Sequence, residues 1–147
     1  MPERRRSAQQ KRTVAERARG RCEYCLSPAA FSPDPFAVEH IHPLAEGGPT
    51  RLTNLAYSCQ GCNNAKYTHT TALDPTTGER VPLYHPRQHR WSEHFTWSED
   101  FLELEGRTPI GRATVAQLRL NRPGVRNLRG LLRLAGEHPP AETQAGR

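Results

Sequence analysis

Residues 22–66 read CEYCLSPAAFSPDPFAVEHIHPLAEGGPTRLTNLAYSCQGCNNAK, with one CxxC pair at the start and a second near the end. Two residues between thiolates let both sulfurs face one tetrahedral ion, so two such pairs can complete a closed four-cysteine site. We predict that one structural zinc ion is bound by all four cysteines of the chain, Cys22, Cys25, Cys59 and Cys62. The alternative, two redox pairs or buried free thiols, lacks a thioredoxin-like pattern around either pair.

Between the two pairs lies an insert of 33 residues, longer than the loop of a simple zinc ribbon. A closed four-thiolate site has no open coordination position, so zinc bound there is not itself catalytic. We therefore expect the chemistry of the protein to be carried by the insert rather than by the cysteines.

The size and composition of the chain limit its class. It has 147 residues, of which 35% are hydrophobic and 24% are charged, enough for one compact domain or a small module with appended elements. No run of eighteen apolar residues is present, so we expect no membrane partner. No apolar segment follows Met1–Arg6 as in a secretory signal. We therefore expect a cytoplasmic, nucleoid-associated protein with reduced thiols, which favours metal binding over disulfides.

Charge is unevenly distributed along the chain. The net charge of +6 divides into +6 for residues 1–21, −3 for residues 22–86 and +4 for residues 87–133, with a slightly acidic tail. An acidic middle between two basic segments suits a metal site flanked by phosphate-binding surface. The alternative is that these basic residues lie on solvent-exposed faces of the protein and bind no ligand.

Local patterns predict an α+β organisation. Ser7 can cap a helix over residues 7–19, short strands are expected near residues 36–41 and 54–58, and a helix should open near Cys62. A hairpin over residues 94–97 and 101–105 and helices beginning at Pro109 and Pro123 follow. We divide the chain into a basic arm (1–21), a module (22–70), an extension that packs on it (71–136) and a disordered tail (137–147).

In order, the segments C-E-Y-C, V-E-H-I-H-P-L-A-E-G-G, L-T-N-L and C-Q-G-C-N-N-A-K resemble the HNH endonuclease family in its zinc-containing, four-cysteine subtype. The resemblance covers residues 22–66. It implies a ββα-metal (His-Me finger) module, in which a short hairpin and a helix grip one divalent cation. The full expectation is such a module held together by zinc, with a C-terminal hairpin and a two-helix extension.

The resemblance also implies roles for individual residues. His40 corresponds to the general base, and Glu39 to the acidic residue that binds the catalytic cation. Asn54 corresponds to the asparagine that braces the loop through side-chain hydrogen bonds to the backbone. Asn63 corresponds to the third motif position, where its amide oxygen would bind the cation.

Several neighbouring residues leave alternatives open. His42 can be the true base, a second metal ligand or a phosphate contact, although we favour His40 as the base. Asn64 competes with Asn63, but the spacing to Lys66 favours Asn63. Lys66 is either a phosphate contact or a solvated lysine.

Phosphodiester hydrolysis explains why these residue types occur together. A cation on the scissile phosphate offsets its negative charge and stabilises the leaving oxygen. Carboxylate and amide oxygens are hard ligands suited to Mg²⁺ or Mn²⁺. A histidine with an unperturbed pKa near ~6.5 can take a proton from water at neutral pH.

The C-terminal half is rich in histidine, tryptophan and arginine. His85, His89 and His94 have spacings that match no strong metal-ligand motif, and we expect Trp91 and Trp97 to be buried where the extension packs on the module. Two roles are equally consistent with the arginines of this half: they line a nucleic-acid duplex, or they lie on the solvent-exposed faces of two helices. These arginines are Arg112, Arg119, Arg122, Arg126, Arg129 and Arg133.

The sequence therefore favours a metal-dependent endonuclease that acts on nucleic acid, most simply DNA, to produce a 5′-phosphate. Competing hypotheses are a non-catalytic zinc-containing nucleic-acid-binding module and a structural zinc protein that binds another protein. The sequence leaves open whether the protein is a monomer or a homodimer.

Overall fold

The computed structural model describes residues 5–141. Residues 1–4 of the predicted basic arm and residues 142–147 of the predicted tail lie outside the described residues. Within the described range, no helix is both long enough and apolar enough to cross a membrane.

Residues 5–141 form five α-helices and three two-stranded antiparallel sheets, which confirms the predicted α+β class. In chain order the elements are α1 (Ala8–Arg17), β1 (Ala37–His40), β2 (Leu55–Ser58), α2 (Gln60–Lys66), β3 (Thr71–Leu73), β4 (Arg80–Pro82), α3 (Trp91–His94), β5 (Phe95–Trp97), β6 (Leu104–Gly106), α4 (Pro109–Leu118) and α5 (Pro123–Leu134). Each sheet joins consecutive strands, β1 with β2, β3 with β4 and β5 with β6. Short 3₁₀ turns occur at Ala29–Phe31, Leu44–Glu46 and Leu52–Asn54.

Helix α1 begins with the predicted cap. The Ser7 hydroxyl accepts from the backbone N–H of Gln10, and the Gln10 side chain accepts from the Ser7 N–H, which forms a capping box. Val14 is the buried residue of this helix, and it packs with Val38 of β1 and Leu55 of β2 in a small separate cluster. Helix α1 therefore covers one face of the β1–β2 hairpin.

The register of this hairpin separates neighbouring side chains. Glu39 pairs with Ala56 and His40 pairs with Leu55. Because side chains alternate along a strand, Glu39 and His40 point to opposite faces of the hairpin. Helix α2 contacts β1 and completes a hairpin-and-helix unit.

One larger hydrophobic core connects the first half of the chain to the second. It contains Tyr24, Ala56, Trp91 and Leu118, all buried, together with three of the four cysteines. The indole Nε1–H of Trp91 donates to the backbone carbonyl of Tyr24 at 3.1 Å. Trp91 is thus buried as predicted, whereas Trp97 is only half-buried.

The C-terminal helices begin where their prolines indicate. Thr108 caps α4 with Pro109 at its first position, and Pro123 opens α5. The hairpin β5–β6 lies close to the predicted one. The hairpin β3–β4 was not predicted, since only its connecting turn, residues 74–78, carries an evident sequence signal.

Neither role expected for the C-terminal arginines holds for buried Arg129, while half-buried Arg112 and Arg122 have partners within the protein. Arg129 is 1% exposed and donates to the carbonyls of Leu102 and Leu120. Arg112 forms a bidentate ion pair with buried Asp74, at 3.0 Å and 2.8 Å. Arg122 contacts two of the cysteines, as described below. These guanidiniums donate to carbonyls, a carboxylate and sulfurs that are buried or partly buried and need hydrogen-bond partners.

The first residues of the predicted disordered tail are packed. His138 is 6% exposed, and its Nε2 lies 2.8 Å from the carbonyl of Phe101. Its ring also meets the ring of Trp97 edge-on. Residues 137–141 therefore extend the packed structure beyond α5.

Candidate metal centre and its surroundings

The four cysteines converge as the spacing predicted. Their sulfurs all lie within 4.8 Å of one another, and no disulfide joins them. Cys59 caps α2, where its sulfur accepts from the backbone N–H of Cys62, and the sulfur of Cys22 accepts likewise from the N–H of Cys25. Four clustered thiols on two such turns fit a tetrahedral zinc ion.

Arg122 lies against this cluster from the C-terminal half. Its Nη2 is 3.5 Å from the sulfur of Cys59 and 3.6 Å from that of Cys62. A Cβ atom on Gly61 would lie 2.5 Å from the same Nη2, so the missing side chain of Gly61 leaves room for the guanidinium. A four-thiolate zinc site carries net negative charge, and Arg122 offsets part of it.

Glu39 is a buried carboxylate with two buried partners. The hydroxyl of Tyr24 lies 3.3 Å from both carboxylate oxygens, and the ammonium of Lys66 lies 3.4 Å from Oε2. Burial raises the pKa of Glu39, while the neighbouring Lys66 and Tyr24 oppose that rise. The position is therefore built to hold positive charge beside the carboxylate.

Lys66 is not a solvated lysine. It is 2% exposed, and its ammonium also donates to the carbonyl of Ile41 at 3.0 Å. One side chain thus connects the end of α2 to the end of β1 on the face that carries Glu39.

His40 lies on the other face of the hairpin and is half-buried. Its Nε2 is 2.8 Å from the hydroxyl of Thr50, which holds the ring in orientation. Burial lowers the pKa of His40, and the positive charge of Arg6 lowers it further. The imidazole is therefore neutral at pH 7 and can accept a proton.

Asn54 braces the loop that follows β1. Its Oδ1 accepts from the N–H of His42 at 2.8 Å, and its Nδ2 donates to the carbonyls of His42 and Pro49 at 3.0 Å and 2.9 Å. A Cβ atom on Gly48 would lie 1.8 Å from the His42 carbonyl. The loop thus closes on itself only because Gly48 has no side chain.

The remaining candidates lie nearby but are not joined to each other. His42 is exposed, and its Nε2 donates to the carbonyl of Glu46 at 3.1 Å. Asn63 is half-buried and Asn64 is exposed. Among residues 5–141, no side-chain hydrogen bond links His40 to Glu39 or to Asn63.

The cysteines and the motif residues offer different ligand atoms to a metal ion. The four sulfurs suit zinc, whereas Glu39 and Asn63 offer the hard oxygens that Mg²⁺ and Mn²⁺ prefer. The oxygens of Glu39 and Asn63 are of the type that binds a divalent cation, and in the structure Lys66 occupies the cation side of Glu39.

Sequence reasoning missed three residues of this region. Tyr24 lies between the first two cysteines, Thr50 follows a turn, and Arg122 is 60 residues distant from Cys62. No local pattern marks any of them, because each acquires its contact only when separate elements pack together.

Comparison with known proteins gives one match. Residues 22–69 match the family model described as HNH endonuclease. Searches of curated proteins and of solved structures gave no match. The matched segment runs from the first cysteine pair past the end of α2, and it contains the hairpin, the braced loop and all four cysteines.

Proposed function

Because residues 22–69 form an HNH endonuclease domain with a four-cysteine cluster, we propose that the protein hydrolyses DNA phosphodiester bonds with one divalent cation. The observation that carries this proposal is the end of β1, where half-buried His40, with its lowered pKa, directly follows the buried carboxylate Glu39 in the chain. As a DNA nuclease, the protein would act in the cytoplasm in association with the nucleoid.

His40 is the general base of the proposed reaction. Its imidazole takes a proton from water, the water oxygen bonds to phosphorus, and the bond from phosphorus to the 3′ oxygen breaks. The 3′ oxygen takes a proton from solvent water and His40 releases its proton to solvent, which leaves a 5′-phosphate and a 3′-hydroxyl. General-base assistance of this kind contributes roughly 10²–10⁴-fold.

Glu39 and Asn63 would hold the catalytic Mg²⁺ or Mn²⁺. When bound, such a cation offsets the charge of the scissile phosphate and stabilises the leaving oxygen. Lys66 occupies the cation side of Glu39 in the structure, at 3.4 Å from its Oε2. Loading therefore requires the ammonium to move aside, while Asn54 keeps the loop around His42 in place.

A second candidate function is a non-catalytic zinc-containing module that binds nucleic acid. The same Lys66–Glu39 ion pair favours it, since a carboxylate already neutralised by an ammonium has less need of a metal ion. The two functions differ in whether divalent cations produce strand cleavage or change nothing.

Plasmid nicking tests the proposal. Purified protein is incubated with supercoiled DNA in Mg²⁺, Mn²⁺ or EDTA, and the wild type is compared with His40→Ala and His42→Ala. The exposed His69 provides the matched control, His69→Ala. We expect divalent-dependent nicking that falls at least about 100-fold in His40→Ala.

Other outcomes have definite meanings. If His42→Ala loses nicking activity while His40→Ala keeps it, His42 is the general base instead of His40. Equal nicking by all variants and by the wild type in EDTA would indicate a contaminating nuclease. Salt-dependent DNA binding without cleavage by the zinc-loaded wild type would favour the binding module.

A further inference from the structure

A cleft of about 210 Å³ lies between the HNH domain and the segment that follows β4. His42 and Lys66 of the domain line it, together with His85, Gln88 and His89, which lie beyond the family match. No described residue that lines the cleft is acidic. The lining therefore combines imidazole groups with the ammonium of Lys66, whose carboxylate partner Glu39 lies outside the lining.

Backbone hydrogen bonds set the tautomers of two of these histidines. The N–H of Arg87 donates to Nδ1 of His85 at 3.2 Å, and the N–H of His85 donates to Nδ1 of His89 at 2.9 Å. A ring nitrogen that accepts a hydrogen bond carries no hydrogen, so each neutral ring carries its hydrogen at Nε2.

The two Nε2–H groups are available as donors. Within residues 5–141, neither one has a hydrogen-bond acceptor. Burial, together with the nearby His89 and Lys66, lowers the pKa of His85, so its ring is neutral in the empty cleft. Two N–H donors beside an ammonium form an arrangement that suits an anion with several acceptor oxygens.

We propose that this cleft binds a phosphate of the nucleic-acid backbone, with the Nε2–H groups of His85 and His89 as donors and Lys66 as a source of positive charge. This inference rests on the proposed nuclease function. It assigns to the C-terminal segment a direct part in holding the substrate, next to the loop that carries His42.

Substitutions of the histidines can separate two roles of each ring: the Nε2–H that donates to phosphate and the Nδ1 that accepts from a backbone N–H. Asparagine places its Oδ1 near the position of Nδ1, so His85→Asn and His89→Asn keep the acceptor for the backbone N–H and remove the Nε2 donor. Glutamine places its amide nearer the position of Nε2, so His89→Gln restores a donor. His69→Asn is the matched control, because His69 is exposed and does not line the cleft.

The first measurement is phosphate binding without catalysis. Imidazole ¹H–¹⁵N spectra of the zinc-loaded protein are recorded without added Mg²⁺ or Mn²⁺ while inorganic phosphate or a short single-stranded oligonucleotide is added, with chloride at equal ionic strength as the reference. We expect the His85 and His89 signals to shift with both ligands and the His69 signals to stay unchanged. Unmoved His85 and His89 signals with both ligands would overturn the proposal.

The second measurement uses DNA cleavage by the zinc-loaded full chain. Each asparagine variant should raise KM about 3- to 10-fold, as expected for the loss of one hydrogen bond to an anion, while kcat changes less than about 2-fold. His89→Gln should recover part of the loss. Circular dichroism and zinc content confirm that the variants are folded.

These outcomes distinguish the two proposals. Wild-type cleavage with unchanged KM in both asparagine variants overturns the phosphate cleft and leaves the nuclease intact. Shifts with inorganic phosphate but not with the oligonucleotide overturn the assignment to a nucleic-acid backbone. Absence of cleavage by the wild type, with both histidines responding to the oligonucleotide, supports the cleft and rejects the nuclease.

Discussion

Glu39 and His40 are adjacent in the chain, yet they lie in different electrostatic surroundings. The carboxylate is buried between Tyr24 and Lys66, and the imidazole is half-buried against Thr50 on the opposite face. Strand alternation creates this division, and it lets one short strand carry both the proposed cation ligand and the proposed base. The pKa of Glu39 and the pKa of His40 are therefore shifted by different neighbours.

The lowered pKa of His40 predicts the pH dependence of cleavage. A base is active when unprotonated, so activity should rise with pH through the pKa of His40 in the free enzyme. Because burial and Arg6 lower that pKa, the acid limb of kcat/KM should have its midpoint below the unperturbed value of ~6.5. A pH–rate profile at saturating Mg²⁺ checks this, and a midpoint above that value would contradict it.

The Lys66–Glu39 pair predicts an unusual stability profile. Lys66→Met leaves the buried Glu39 carboxylate without its cation, which should cost about 3–5 kcal/mol at pH 7. Glu39 already has a raised pKa, and the loss of Lys66 raises it further. The folded variant then binds a proton more tightly than the unfolded chain, so its stability falls as pH rises from about 4.5 through the folded pKa.

Urea unfolding from pH 4 to pH 8 measures this dependence. The double variant Lys66→Met/Glu39→Gln should recover most of the loss at pH 7, because it leaves no charge buried. If the stability of Lys66→Met is the same at every pH, the Glu39 carboxylate is solvated in that variant and the prediction is contradicted.

At the scale of elements, the start of α5 completes the environment of the zinc cluster. Arg122 precedes this helix, and its guanidinium reaches sulfurs of Cys59 and Cys62 at the start of α2. Gly61 provides the space for this approach. The last helix is thus connected to the metal centre by charge as well as by packing.

Arg122→Met should therefore weaken zinc retention. Removing a group that hydrogen-bonds to metal ligands typically costs 10–100-fold in metal affinity, and we expect a change of about 10-fold or more. Zinc transfer to a colorimetric chelator measures it. Arg126→Met is the matched control, because Arg126 lies exposed on α5 and forms an ion pair with exposed Glu103, away from the cysteines. Equal zinc retention in the two variants would show that Arg122 does not stabilise bound zinc.

At the scale of the whole molecule, the HNH domain and the C-terminal half share one hydrophobic core. Trp91 hydrogen-bonds to Tyr24, and Arg87 forms an ion pair with Glu23. The cysteine-bearing turns belong to the same buried cluster as Trp91 and Leu118. Zinc binding should therefore stabilise both halves together.

Zinc removal should unfold both halves in one transition. Structural zinc contributes on the order of 10 kcal/mol in small zinc domains, more than the usual stability of a domain this size. A strong chelator should cause coincident losses of far-UV circular dichroism and of tryptophan burial, which reports the C-terminal half. A C-terminal half that keeps its tryptophan signal after zinc removal would contradict the shared core.

Much of the fold was predictable from short-range patterns. The Ser7 cap, the β1–β2 strands, the proline-initiated helices and the cysteine spacing all act within a few residues, and each was found close to its predicted place. The Asn54 brace was implied by family resemblance, and the structure shows the hydrogen bonds themselves.

Partners distant in the chain were not predictable in this way. Lys66 was expected to be solvated or to contact phosphate, and Arg129 to lie on a surface, yet both are almost fully buried. Spacing and periodicity specify which residues can form a turn, a cap or a metal site. Burial, however, depends on which distant elements pack together, and so the partners of Glu39, the guanidinium at the zinc cluster and the histidine cleft emerge only from the folded chain.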